Sequence, residues 1–192
     1  MKNIFLVGGG GHCVSCIDVI LAEGKYQIRG IFDLPDRRGT TVLGVPILGG
    51  DELIEEYISD ENYFLVTVGQ IRSPNTRMDI FENVKKKGGI FATVISPRAY
   101  VSPFATIKEG SIVMHDALVN ANAFVGFNCI INTKALIEHD AEVQSHCHIS
   151  TASVINGGCR IEEGAFVGSN SVLKEGLVVP KRAVLKAGEF HR

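Results

Sequence analysis

Hydrophobic and polar residues follow two different patterns along this chain, and the change comes near residue 94. Before that point, short apolar runs alternate with stretches whose apolar residues recur at helical spacing, and residues 33–50 read as turns. Strands are predicted at 4–7, 28–32, 64–68 and 91–94, and helices at 13–23, 51–57 and from 73 or 75 to 87. Alternating strands and helices are typical of a parallel sheet, so the first part is predicted to be a small Rossmann-like α/β unit.

From residue 94 onward the chain follows a six-residue repeat, as in FVGFNC and RIEEGA. An Ile, Val or Leu stands at position 95 and at every sixth position through 185, sixteen times in succession. In the first fifteen of these blocks the residue four positions further on is Ala, Ser or Cys, except in the block that ends at Leu177. A repeat this regular decides the fold of the segment before any local motif does.

A six-residue period fits neither an α-helix nor a long strand, but it fits a solenoid of short strands with a corner after each strand. The branched aliphatic residue then points inward, and the small residue fits the crowded corner. Three faces close a triangle, which predicts about five coils that each rise by about 4.8 Å. The sequence therefore predicts two domains, residues 1–93 and 94–192.

Composition and charge exclude several classes of function. The formal charge is −2 and the longest basic run is Lys85 to Lys87, which argues against a nucleic-acid partner. No apolar stretch is long enough for membrane insertion, and the run from Ile4 to Val7 is too short for a signal-peptide core. We therefore expect a cytoplasmic protein. The five cysteines are expected to be free thiols, because the single C-x-x-C at Cys13 has no second pair to complete a zinc site.

The segment VGGGGHCVS follows a predicted strand and leads into a predicted helix, which is the setting of a phosphate-binding loop. The dinucleotide pattern G-x-G-x-x-G is incomplete here, since Cys13 or Val14 takes the place of the third glycine. Asp33 ends the second strand, where a ribose-binding acid is expected. These residues favour a nucleotide or nucleotide-sugar site over a site for NAD, and a simple tight turn is the alternative.

Both halves together resemble the sialic-acid O-acetyltransferase family, a group of hexapeptide-repeat acyltransferases. The resemblance covers nearly the whole chain and rests on VGGGGH, FLVTVGQIRSPNTR at 64–77, NT at 132–133 and IEHD at 137–140. It implies a left-handed parallel β-helix that forms a homotrimer, and an α/β domain that binds a nucleotide-activated sugar. The family includes bacterial enzymes that acetylate the 4-amino group of nucleotide-linked amino sugars for surface glycans or glycoproteins. Acetyl-CoA is the implied co-substrate, and no metal is expected.

The resemblance also implies roles for individual residues. His139 matches the catalytic base and Asp140 the acid that orients it. The implied substrate contacts are Gly10, Gly11, His12, Asp33, Gly69, Gln70 and Asn132. The implied coenzyme contacts are His148, Gly157 and Ser169, with the backbone N–H of Gly157 facing the thioester carbonyl.

Elementary chemistry supports the role of His139. An amine must lose a proton as it attacks a thioester, and an imidazole with an ordinary pKa near 6.5 is suited to accept it. A carboxylate on the other ring nitrogen fixes the tautomer and stabilises the imidazolium. Adjacent strand residues point to opposite faces, so Asp140 reaches His139 only if the chain turns a corner between them.

Three alternatives remain at the level of the sequence. The sequence also fits a sugar O-acetyltransferase, a zinc enzyme like the γ-carbonic anhydrases, or an inert trimeric scaffold that binds nucleotide sugars. The zinc reading would use His115, His139, His146 and His148 as ligands. Otherwise His115 and His146 are expected to be exposed polar residues of the repeat without a role in catalysis.

Overall fold

The computed structural model describes residues 1–192, and its N-terminal part is an α/β sheet. The strands are β1 (Lys2–Val7), β2 (Tyr26–Phe32), β3 (Thr41–Val42), β4 (Val45–Gly49), β5 (Asn62–Val66) and β6 (Ile90–Phe91). Their order is β3-β4-β2-β1-β5-β6, and every pair is parallel except β3 with β4. The helices are α1 (Gly11–Glu23) and α2 (Asn75–Lys86), with 3-10 helices at Pro35–Arg37 and Asp51–Tyr57. Neither α1 nor α2 has the length and apolarity of a membrane-spanning segment.

Strand β1 lies between β2 and β5, so the direction in which strands are added reverses beside it. Open α/β sheets bind ligands in the crevice at the carboxyl ends of the strands on either side of such a reversal. Here those ends lead into Gly8, Asp33 and Thr67. The sheet therefore places the glycine loop and Asp33 at the expected crevice.

Three predicted elements differ in the structure. Residues 33–50, predicted as turns, contain the hairpin of β3 and β4, and β4 extends the sheet with Ile47 buried. The prediction was wrong because Pro46 and the flanking glycines disguise a short strand. The predicted strand at 91–94 is divided, since β6 ends at Phe91 and the next strand starts at Val94. The predicted helix at 51–57 is a 3-10 helix.

The second part of the chain is a parallel β-helix. Two-residue strands recur every six residues, from β7 (Val94–Ile95) to β23 (Phe190–His191). Each strand pairs with the strand 18 residues further on, which gives three sheets that we call the first face (with β7), the second face (with Tyr100–Val101) and the third face (with Thr106–Ile107). The repeated aliphatic residues fill the interior with a core of 20 buried residues. The predicted fold class, a Rossmann-like sheet followed by a parallel β-helix, is confirmed.

Corners of the β-helix take the left-handed conformation at the fifth residue of the hexads. Lys134 (φ 60°) stands on the first edge, between the first and second faces. Asp140 (φ 60°) stands on the second edge, between the second and third faces, and His146 (φ 62°) stands on the third edge. Asn and Asp tolerate this conformation better than other residues with a Cβ, and several other hexads place Gly there. The chain thus turns between His139 and Asp140, as their contact requires.

The α/β part packs against the first face of the β-helix. Residues of α1 share one hydrophobic cluster with outward-facing residues of that face, among them Ile112 and Ile130, which are fully buried. The first face is therefore closed to solvent along much of its length. The second and third faces are not covered in this way.

Arg77 of α2 connects the two parts at the third edge. It is 1% exposed, and its guanidinium donates to the carbonyls of Val66 (2.9 Å) and Val68 (2.6 Å) at the end of β5. The other nitrogen donates to the carbonyl and side-chain oxygens of Asn128, at 3.2 and 2.7 Å. No carboxylate pairs with this buried cation, and burial lowers the pKa of Arg77 to about 10. Through these bonds Arg77 joins the end of β5, at the crevice, to a corner of the β-helix.

Candidate active site

The four glycines of the loop after β1 have two different functions in the structure. At Gly8 (φ 105°) a Cβ would clash with Val68, whose backbone nitrogen would lie 2.9 Å away, and at Gly9 a Cβ would lie 2.6 Å from the carboxylate of Asp33. Both positions therefore require glycine, because a side chain would clash with neighbouring residues of the protein. Above Gly10 and Gly11 there is open space, because a Cβ at either position meets no atom within 4 Å. Their exposed backbone begins α1, where free N–H groups favour an anion.

Asp33, predicted as a substrate contact, makes three contacts within the protein. Its Oδ1 accepts a hydrogen bond from the Leu34 N–H (2.9 Å), and its Oδ2 accepts one from the Gly9 N–H (3.1 Å) and pairs with Arg37. Arg37 also donates to the carbonyl of Gly9 at 3.1 Å. Asp33 therefore holds the glycine loop and Arg37 in place, and both oxygens are occupied in doing so.

Two adjoining cavities lie along this loop. One, of about 310 Å³, has an apolar wall that includes Phe32 and Ile80 and an acidic rim that includes Asp51. The other, of about 470 Å³, is lined by the glycine loop, His12, Arg37, Gly69 and Ile71. Gly8, Asp33 and Val68 line both of them. An elongated ligand with an aromatic end therefore fits across the two.

A chain of hydrogen bonds leads from the crevice to the first face. The Nδ1–H of His148 donates to the backbone oxygen of Gln70 (2.6 Å), so its Nε2 accepts from the side-chain amide of Asn132 (3.1 Å). Gln70 is 2% exposed, and its side-chain amide donates to the Gly164 carbonyl at 3.1 Å. Burial and the charge of Arg77 lower the pKa of His148 to about 4, although its bond to Gln70 raises it. His148 is therefore neutral near pH 7.

His12 lies beside this chain, with its ring centroid 6.4 Å from that of His148. Its Nε2 is buried and has no hydrogen-bond partner in the protein. Burial is the main cause, and with the nearby Arg77 and His148 it lowers the pKa of His12 to about 3. A neutral imidazole whose buried Nε2 has no partner in the protein is thus available to a polar group of a ligand.

His139 has the environment of a general base. Its Nδ1 donates to Asp140 Oδ2 at 2.8 Å, and Asp140 Oδ1 accepts from the amide of Asn122 at 2.6 Å. The Nε2 of His139 is therefore the free nitrogen of the neutral ring, and the ring is exposed to solvent. The hydrogen bond to Asp140 and the nearby negative charge raise the pKa of His139. The hydrogen bond between His139 and Asp140 that the proposed roles of these residues need is thus present.

Gly157 lies directly beside the ring of His139. A Cβ at this position would lie 2.8 Å from Cε1 and 3.0 Å from Nε2 of His139, so only glycine leaves the ring in place. The backbone N–H of Gly157 donates to no carbonyl of the protein. A free donor therefore stands next to the free nitrogen of the base. Ser169, in contrast, is distant from this pair, and its hydroxyl pairs with that of Ser150 at 2.9 Å on the first edge.

The structure places the predicted site residues in two separate groups. The crevice group contains Gly10, Gly11, His12, Asp33, Gly69, Gln70, Asn132 and His148. The pair His139–Asp140 lies with Gly157 on the second edge, the edge opposite the first face that the α/β part covers. Within one chain, the base is therefore not brought to the crevice.

The expectation that His115 and His146 are exposed is wrong. His146 is 6% exposed, lies edge-on to Phe81 and accepts from Asn128 at 3.0 Å. His115 bonds to Ser96 Oγ (2.6 Å) and to Asp18 Oδ2 (2.8 Å) of α1. Both histidines hold the α/β part on the β-helix.

These contacts also bear on the zinc reading. No group of three or more His, Cys, Asp or Glu side chains is arranged to hold a metal ion. Both ring nitrogens of His148 and both of His115 are engaged by neighbouring residues. The histidines that the zinc reading requires are used in structural hydrogen bonds.

Sequence reasoning missed Asn122 and Arg37. Asn122 stands 18 residues before Asp140, which is one full coil, so the repeat places it one coil before Asp140 at the same corner. Arg37 lies in the segment that was read as turns, and no pattern signals that its side chain returns to Gly9.

Comparison with known proteins agrees with this fold. A family model described as the PglD N-terminal domain matches residues 3–84. The acetyltransferase domain of PglB from Neisseria gonorrhoeae FA1090, solved in complex with acetyl coenzyme A, is 30% identical with a TM-score of 0.88, and 97% of this chain and 89% of that chain are covered. A mutant of GDP-perosamine N-acetyl transferase from Caulobacter crescentus, in complex with CoA and GDP-perosamine, is 27% identical with a TM-score of 0.76, over 99% of this chain and 93% of that one. No curated sequence matched.

The fold and the site together define an acetyltransferase of the hexapeptide β-helix class, as the sequence predicted. The chain belongs to the family of sugar acetyltransferases that join a PglD-type N-terminal domain to a β-helix.

Proposed function

We propose that this enzyme transfers the acetyl group of acetyl-CoA to the amino group of a nucleotide-linked amino sugar. The observation that carries the proposal is the exposed His139 ring, oriented by Asp140 and adjacent to the free N–H of Gly157. Further support comes from two relatives whose structures contain acetyl-CoA, or CoA with GDP-perosamine.

The proposed reaction uses these three residues as follows. As the sugar amine attacks the thioester carbonyl and forms the C–N bond, Nε2 of His139 accepts a proton from the nitrogen. Asp140 stabilises the imidazolium, and the N–H of Gly157 donates to the carbonyl oxygen as it becomes negative. The C–S bond then breaks, and His139 returns the proton to the departing sulfur. Acetyl-CoA supplies the acetyl group and the thiol leaving group.

The crevice is the proposed site for the nucleotide-linked sugar, and domain 1–93 is therefore the proposed nucleotide-sugar domain. The 310 Å³ cavity suits the base, and the free N–H groups at the start of α1 suit the phosphates. His12, Gly69, Gln70 and Asn132 continue from this point toward the first face. His148 and Ser169, which the resemblance implies as coenzyme contacts, stay predictions.

We further propose that the enzyme is a homotrimer, in which one protomer's His139 serves its neighbour's crevice. The outward residues of the second face are all apolar, namely Tyr100, Leu118, Leu136, Val154, Val172 and Phe190. Tyr100 is 57% and Phe190 is 56% exposed, and this face borders the edge that carries His139. A second copy seated on it covers apolar surface and brings together the two groups of residues. Light scattering at micromolar concentration should give three times the mass of the 20.8 kDa chain, and a monomer would contradict the proposal.

An acceptor panel tests the proposed function. UDP-, GDP- and dTDP-linked amino sugars are incubated with acetyl-CoA, and thiol release is measured. We expect release with at least one nucleotide amino sugar, and none with the matched sugar that carries a hydroxyl in place of the amine. Release with the hydroxyl sugar alone would favour O-acetylation, and no release with any acceptor would favour an inert scaffold.

A further inference from the structure

The geometry points to Arg37 as the side chain that binds a phosphate of the nucleotide, and to Asp33 as the residue that positions Arg37. This inference rests on the proposed nucleotide-sugar site and goes beyond it, because neither the resemblance nor the sequence pattern assigns a role to Arg37. It also changes the role of Asp33 from ribose contact to support of the loop.

The first argument is the distribution of charge. Arg37 is the only Lys or Arg that lines either cavity of the crevice, whereas Asp33, Asp51 and Glu52 line it as acids. A nucleoside diphosphate brings at least two negative charges into this place. Binding these charges requires a cationic side chain in addition to the free N–H groups of α1, and Arg37 lines the second cavity.

The second argument concerns the hydrogen-bond donors of Arg37 that make no contact within the protein. One nitrogen, Nη1, makes both bonds to the protein, to Asp33 and to the carbonyl of Gly9. The donors on Nη2 and Nε make no hydrogen bond within the protein, and 37% of the side chain is exposed. A guanidinium held at one nitrogen and free at the other two presents a planar pair of donors that matches two phosphate oxygens.

The third argument is the place of Arg37 in the second cavity, next to the residue that joins this cavity to the first. Asp33, its partner, lines both of them, and Gly9 and Gly10 lie beside Arg37 in the second. A ligand with its base in the first cavity and its sugar near His12 and Gly69 must pass Arg37 with the linker between base and sugar. In a nucleotide-linked sugar that linker is the ribose with its diphosphate.

Binding measurements on Arg37→Met test the inference. UDP, GDP and dTDP are titrated by calorimetry, and uridine, guanosine and thymidine by ligand-observed NMR, so that the phosphates are the only difference within each pair. Loss of a charge-assisted contact should weaken diphosphate binding by about 10- to 100-fold. Nucleoside affinity should not change, and Arg37→Lys should retain part of the diphosphate affinity. Arg38→Met is the matched control, since the Arg38 side chain makes no ion pair and lines neither cavity.

Three other outcomes of these binding measurements would contradict the inference. Equal losses for nucleoside and diphosphate would show that Arg37 only supports the loop, and would overturn the inference. Unchanged diphosphate affinity in Arg37→Met would overturn it as well, and would leave the proposed function intact. If the wild-type enzyme bound none of the three diphosphates, both the inference and the proposed nucleotide site would be wrong.

Discussion

Replacing His139 by Ala should lower kcat by at least about 100-fold, because removal of a general base typically costs a factor of 10² to 10⁴. The ring is exposed and its only hydrogen bond joins it to Asp140, so its loss should leave the fold intact. The KM for acetyl-CoA should change little. Initial rates of thiol release, together with a thermal melt of the variant, give both quantities.

The pH dependence tests whether His139 acts as a base. Only the neutral ring accepts a proton, and Asp140 raises the pKa of His139, so kcat/KM should fall as the pH drops through a value above 6.5. Asp140→Asn removes the negative charge and should move this acidic limb to lower pH. It should also lower kcat less than His139→Ala does. An acidic limb that stays in place in Asp140→Asn would assign it to another group, such as the ammonium of the acceptor.

His146→Ala is the control for the same experiment. His146 holds the α/β part on the β-helix and lies on a different edge from His139, so kcat should stay close to the wild-type value. A chelator should have no effect on any of these proteins. Equal losses of activity in the His139, His146 and His148 variants, with sensitivity to a chelator, would restore the zinc reading.

Replacing Arg77 by Met should lower the free energy of unfolding by about 2–4 kcal/mol, since several buried carbonyl groups lose their donor. Met keeps much of the side-chain length, so the effect comes mainly from the lost bonds to Val66, Val68 and Asn128. Relief of a desolvated charge offsets part of the loss. Urea denaturation measures the difference.

Arg98→Met is the matched control for this second prediction. Arg98 pairs with Asp116 at 2.7 Å on the surface, where an ion pair contributes at most about 1 kcal/mol. If the Arg77→Met protein were as stable as the control, the free-energy cost of burying the Arg77 cation would equal the stabilisation from its hydrogen bonds. The guanidinium would then serve the alignment of the crevice rather than stability.

The sequence was most informative where the repeat imposes geometry. Because the chain turns at every fifth position of the hexads, the neighbours His139 and Asp140 fall on the two sides of a corner, and their hydrogen bond follows from the register. The same register contains Asn122, one coil earlier. Long-range pairing in a β-helix is thus encoded as a fixed separation along the chain.

The sequence was least informative where two parts of the chain meet. The hexad register shows that His148 points outward, but it does not show which face the α/β part covers. His146 was therefore read as exposed, although Phe81 buries it. Arg37 was missed for a related reason, since its contact with Gly9 spans 28 residues and depends on how a 3-10 helix folds back.

Equivalent corners of the β-helix lie 18 residues apart, so residues that contact each other across neighbouring coils have a fixed separation along the chain. His139 and Gly157 are one coil apart, and so are Asn122 and Asp140. A single residue inserted between His139 and Gly157 would shift every later aliphatic residue out of the interior. An insertion of eighteen residues after Gly176 would lengthen the β-helix and leave His139, Asp140 and the free N–H of Gly157 in place. Length changes compatible with the proposed site are therefore expected in whole coils, since the coils at residues 122–158 carry His139 and its partners.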